Sequence, residues 1–124
     1  MRTKHRDHLI FEQEERALET YMKKKAHELD LWLEEFGAWY DHVHILLRIN
    51  PSISLSDAYG PIKGFSSWSL GKKWPDKSFG WSDGVYAVTV DPENCQPLRH
   101  YIRNQRKHHD DNTLQQQWEL EDSP

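Results

Sequence analysis

The chain lacks the features that would place it in several large classes. It has one cysteine, Cys95, in 124 residues, which excludes an internal disulfide and a cysteine-cluster metal site. Purely aliphatic runs reach no further than Ile45-Leu46-Leu47, and the first ten residues are charged. Neither a spanning helix nor a secretory leader is therefore legible, and a soluble, cytoplasmic protein is expected. There is no Gly-rich phosphate loop, no internal repeat and no low-complexity tract. A basic excess is also missing: 16 Lys and Arg stand against 20 Asp and Glu, a formal charge of −4. That sum argues against a uniformly basic nucleic-acid binder. Any metal must be held by His, Gln, Asp or Glu.

The charge is unevenly placed. Residues 12 to 35 carry eight acidic and four basic residues, and residues 110 to 124 carry five acidic and none basic. Between them, nine basic residues face six acidic ones, a local balance of +3. A chain of this length forms one domain, here residues 1–109, followed by an acidic tail at 110–124.

Hydrophobic periodicity gives the elements. From Phe11 to Leu29, apolar side chains recur at three- and four-residue steps (Ala17, Leu18, Tyr21, Met22, Ala26), which predicts an amphipathic helix. Two strands follow, Leu31 to Tyr40 and His42 to Ile49, joined near Gly37 to Asp41. Ser54 is placed to cap a second helix, which Gly60-Pro61 is expected to kink or divide. Gly71 to Ser82 reads as a loop, with Lys72, Lys73 and Lys77 interleaved with Trp74, Phe79 and Trp81, a pattern suited to stacking single-stranded bases. Trp81 fits a core position equally well. Gly84 to Val90 reads as the last strand, and Pro97 suits the first turn of a final helix. Tyr40, Tyr59 and Tyr86 read as packing residues. Strands and helices in this order predict an α+β fold, an antiparallel sheet with helices on one face.

The chemistry concentrates in two stretches. In the strand His42-Val43-His44, residues two apart share a face and present two imidazoles side by side. If Leu98 to His109 is one final helix, Tyr101 and Gln105, four apart, share a face. Asp41 reads as a turn residue. The combination of Asp41-His42-Val43-His44-Ile45-Leu46-Leu47, Ile62-Lys63-Gly64-Phe65-Ser66-Ser67 and Tyr101-Ile102-Arg103-Asn104-Gln105-Arg106-Lys107-His108-His109 resembles the single-tyrosine HUH transposases, the family that includes the REP-associated tyrosine transposases, from about Thr3 to His109.

The resemblance implies a ferredoxin-like or RNA-recognition-motif-like arrangement, whose first strand is here cut short before Thr3-Lys4-His5-Arg6. It implies a divalent metal on His42, His44 and Gln105, with Tyr101 as the nucleophile forming a 5′-phosphotyrosine link to single-stranded DNA. The ligand set leaves the metal open, since imidazoles suit Mn, Zn or Ni and amide and phosphate oxygens suit Mg or Mn; Mg or Mn is the expected choice. His108 or His100 would be a base for that phenol. Lys63, Ser66, Ser67, Lys72, Lys73, Arg103, Arg106 and Lys107 are the expected phosphate contacts. The partner would be a hairpin or element end in a bacterial nucleoid, bound by one chain or by a homodimer that shares the site. A truncated or repurposed relative that binds single-stranded nucleic acid without cutting it is the alternative, and a water-using metal hydrolase is a third.

Overall fold

The computed structural model describes residues 1–110. Four helices and one hairpin make up the fold: α1 (Glu12–Glu28), β1 (Trp32–Trp39), β2 (His42–Arg48), α2 (Leu55–Lys73), α3 (Pro92–Arg103) and α4 (Gln105–Asp110), with single 3₁₀ turns at Lys4–Arg6 and Pro75–Lys77. The rest of the predicted acidic tail, residues 111–124, lies outside the described residues.

The predicted first helix is α1, and its stripe Ala17, Leu18, Met22 and Ala26 is buried. Its first turn is closed by Glu14, whose carboxylate accepts the Phe11 N–H at 3.0 Å. Phe11 itself is 47% exposed and drops out of the predicted stripe.

β1 and β2 pair antiparallel through a turn at Tyr40-Asp41, so Gly37 lies inside β1 opposite His44 instead of in the connection. A bulge between Leu33 and Glu35 inserts Glu34, and the extra residue lets Leu33 and Phe36, an odd step apart, enter the same core. The shortened first strand is reduced to isolated bridges at Arg2 and Thr3. Thr3 N–H donates to Asp41 O and Val43 N–H to Met1 O, each at 2.9 Å, while Gly80 O and Ser82 N–H close the other side of the same segment.

Residues 84–90 are a correction. Among the described residues the sheet has two strands, and 84–90 joins neither. The ladder on Met1–Thr3 reaches only Gly80 to Ser82, and beyond it 84–90 and β2 are parted by a cleft of about 1210 Å³. β-branched composition makes a strand only where an edge lies within hydrogen-bonding reach. Tyr86 there is 49% exposed and packs little.

The break expected at Gly60-Pro61 does not occur, and α2 runs through it. A residue before proline avoids the helical region because its Cβ and N–H meet the proline ring. Gly60 has no Cβ, Pro61 is exposed, and the stripe Ala58, Ile62, Ser66 and Leu70 holds the helix to α1. Consequently Lys72 and Lys73 end a helix instead of lying in a loop. Trp81 is core, at 5% exposure.

Alternation along the hairpin assigns two faces. Phe36, Ala38 and Val43 point into the core shared with α1 and α2. Leu46 points the other way, against Leu98 and Ile102 of α3. The α+β class and the antiparallel pairing stand, but the helices cover both faces of the hairpin, because its second face carries an apolar patch that also needs cover.

Candidate functional site

The face of the hairpin under α3 and α4 carries Trp39, His42 and His44. The rings of His42 and His44 meet edge-on, with centroids 5.1 Å apart, and His42 is 6% exposed. Asp41, in the turn, is buried beside it: Oδ1 lies 2.7 Å from His42 Nδ1, and Oδ2 accepts Arg6 Nε at 3.1 Å. Burial pushes the Asp41 carboxyl up, but the hydrogen bond and charge of His42, with those of Arg6, outweigh it and leave the group below its ordinary value.

Helix α3 begins five residues before the predicted Pro97. Asp91 caps it by accepting Asn94 N–H at 3.1 Å, and Pro92 takes the first-turn position where a missing amide donor costs little. The helix presses on the hairpin at Gly37, where a Cβ would run into the carbonyl group of Ile102. Since Gly37 pairs with His44, this contact seats the residue after Tyr101 at the register of the second histidine. The predicted single helix is divided at Asn104, yet the Asn104 N–H still reaches His100 O at 3.2 Å. Tyr101 and Gln105 are 3% and 0% exposed.

His109 was not among the predicted site residues. Its ring stacks on Trp39 at 4.5 Å, 6° from parallel, and its centroid lies 5.0 Å from that of His42. The signal was the spacing Tyr101, Gln105, His109, two successive four-residue steps. His100 is exposed, and the His108 side chain lies outside the described residues.

The predicted phosphate contacts separate. Arg103 grips Glu35 with both arms, at 3.1 and 2.6 Å; that bond, with the guanidinium charge, holds the Glu35 carboxyl below its ordinary value despite burial. Arg106 bonds Glu15 and Ile10 O, each at 2.8 Å, and lies over Tyr40, clamping α4 to the start of α1. Lys107 is exposed at the start of α4. Lys63, Ser66, Ser67, Lys72 and Lys73 lie on α2, in the layer across the hairpin from α3. Lys63 reaches Asp83 O at 3.0 Å, Ser67 is half-buried, and Lys72 lies over the Trp68 ring at 4.5 Å. Ser66 is a correction: it is fully buried and accepts Trp81 Nε1 at 3.1 Å, so it is a core hydroxyl that a phosphate does not reach.

The donor set suits a divalent cation. Two imidazoles share one strand face and Gln105 is fully buried at the start of α4; imidazole nitrogens suit Mn, Zn or Ni, while an amide oxygen suits Mg or Mn. Among the described residues no group of three or more His, Cys, Asp or Glu is placed to hold a metal ion. No helix among them is long and apolar enough to cross a membrane.

The site face is thus an antiparallel hairpin carrying paired histidines, overlaid by a tyrosine-bearing helix. The family model described as "Transposase IS200 like" matches residues 1–105. Transposases for insertion sequence element IS200 from Salmonella typhimurium and Salmonella typhi are each 30% identical over 108 residues, covering 82% of this chain and 70% of theirs. A solved structure from Deinococcus radiodurans R1 shares the fold, with a TM-score of 0.68 at 23% identity over 84% of this chain and 85% of that one. The chain belongs to the IS200-like transposase family. It is accordingly a transposase, a DNA-cleaving enzyme whose partner is DNA.

Proposed function

We propose that the protein cuts and rejoins single-stranded DNA through Tyr101, assisted by Mg or Mn on His42, His44 and Gln105. The observation that supports this most is the seating of α3 on Gly37, which brings the tyrosine-bearing turn to the register of His44. Tyr101 Oη attacks phosphorus and forms a new O–P bond. The bond to the 3′ oxygen breaks, and that oxygen departs as a hydroxyl, taking up a proton in place of the one the phenol gives away. The 5′-phosphotyrosine link conserves an activated phosphodiester, so a later 3′-hydroxyl can reverse the step onto a new strand. A bound cation would relieve charge on the non-bridging oxygens and orient them. Burial of Tyr101 on α3 and Gln105 on α4, two helices packed on β1, keeps bulk water from the link, which it would otherwise hydrolyse. Lys107 and the lysines of α2 are the remaining candidates for binding flanking phosphates, since Arg103 and Arg106 are engaged by carboxylates.

The test is incubation with end-labelled single-stranded hairpin DNA and Mn, followed by a denaturing gel. A covalent protein–DNA band is expected, lost with Tyr101→Phe and with chelator. Binding without any covalent product would instead support a repurposed binding protein, and cleavage without attachment would support a hydrolase.

A further inference from the structure

Asp41 occupies a turn, where a carboxylate ordinarily bonds its own backbone two residues on. Here both oxygens are committed elsewhere, Oδ1 to His42 Nδ1 at 2.7 Å and Oδ2 to Arg6 Nε at 3.1 Å. We propose that Asp41, held by Arg6, is a positioning residue that fixes the His42 ring in its Nδ1–H tautomer and aims Nε2 at the cation; this rests on the metal-site reading above. An ionised carboxylate only accepts, so the bond to Nδ1 requires the proton to sit there, and a neutral imidazole then keeps its lone pair on Nε2. The bond also fixes the ring's sense, because a flipped ring would present Cε1 where Nε2 stands. A carboxylate behind a ligating imidazole is the common second partner of metal-bound histidines.

The N-terminal segment is shaped to hold this carboxylate. Fully buried Thr3 bonds the Asp41 carbonyl through its N–H at 2.9 Å and its hydroxyl at 3.3 Å. The chain then turns through His5 and Arg6, both left-handed at φ 58° and 55°, a conformation that residues with a Cβ adopt only when neighbours impose it. That turn returns the Arg6 side chain to Asp41. Asp41 and His42 are 7% and 6% exposed, so the pair is shielded from competing water.

Two readings on the metal-free and titrated protein test the proposal: the His42 tautomer by long-range ¹⁵N–¹H NMR, and Mn affinity by electron paramagnetic resonance. Wild-type His42 is expected as Nδ1–H. Asp41→Ala is expected to lose that tautomer and weaken Mn binding about 10- to 100-fold. Asp41→Asn keeps an accepting oxygen and should rescue most of the tautomer and part of the affinity, whereas Arg6→Gln should shift both in the same direction by less. An Nε2–H tautomer in the wild type, or a folded Asp41→Ala with tautomer and affinity unchanged, would overturn the proposal. Should Asp41→Ala fail to fold, unchanged readings in both Asp41→Asn and Arg6→Gln overturn it instead. Equal Mn binding by wild type and His42→Ala would remove the metal-site reading, while the tautomer still decides what Asp41 does to His42.

Discussion

The two faces of the β1–β2 hairpin share a backbone and differ in everything else. Toward α1 and α2, the face offers Phe36, Ala38 and Val43, and the covering side chains Leu18, Met22, Ala26, Ile62 and Leu70 are apolar and closed to water. Toward α3 and α4, the face offers Trp39, His42 and His44, and among the described residues its apolar cluster is small, Leu46 with Leu98, Ile102 and Val90. The first face is held by area and volume, which tolerate many arrangements of similar size. The second is held by directional contacts: the close approach at Gly37, the Arg103–Glu35 fork and the Arg106 clamp. Damage to the first should therefore cost stability, and damage to the second should cost chemistry out of proportion to stability.

Leu18→Ala breaks the first face. Leu18 is fully buried, and the lost burial plus the cavity should cost about 3 kcal/mol. For a domain of this size that lowers Tm by roughly 10 to 15 °C. Covalent DNA attachment, normalised to the folded fraction by circular dichroism, should be unchanged. A fall in normalised attachment would show that the two faces are coupled.

Gly37→Ala strikes the second face. The added methyl meets the Ile102 carbonyl, so either the strand or α3 must shift, at about 2 kcal/mol. The stability loss should be smaller than for Leu18→Ala, yet attachment should fall at least tenfold, because the shift moves Tyr101 relative to His44. Attachment at wild-type level would mean that α3 is not the element that seats the nucleophile.

Acid should separate the faces more gently. Glu14, on the core side, is fully buried, and Glu35, on the site side, is forked by Arg103; both carboxyls titrate below the ordinary 4.5. For Glu14, burial pushes upward, while the hydrogen bonds from Gln13 and Lys77 and the Lys77 charge more than offset it. The unfolded chain takes up protons first as pH falls, so these pairs contribute in full above about pH 4.5 and lose their contribution as pH drops through the lowered folded values. Urea midpoints measured from pH 7 to pH 3 should fall. Lys77→Gln should flatten that fall more than Arg103→Gln, since the Arg103 side chain is 64% exposed and screened by water.

Much of the site was legible because it follows from local periodicity. Two-residue alternation put His42 and His44 on one side; four-residue spacing rested on one unbroken helix, which the structure divides at Asn104, and both Tyr101 and Gln105 are buried. His109 obeyed the same rule one turn further. What was misread needed knowledge of neighbours. Residues 84–90 have strand composition, but pairing depends on an edge within reach. Ser66 looked like a polar helix face until Trp81 was found to cover it. Arg103 and Arg106 looked like phosphate contacts because their carboxylate partners, Glu35 and Glu15, stand 68 and 91 residues away in the chain. Gly60 rescued the helix at Pro61 through a missing Cβ, a steric detail that composition does not carry.

By itself, the sequence determined which residues are apolar, which share a face, and which atoms could bind a cation or attack phosphorus, because these follow from covalent structure and backbone period. The tertiary structure alone decided which face each helix covers, that Asp41 faces His42 and Arg6 instead of its own backbone, and that Gly37 admits α3 to the register of His44. Those outcomes depend on contacts between residues far apart in the chain, whose strength comes from distance and exclusion of water, and neither exists until the chain has folded.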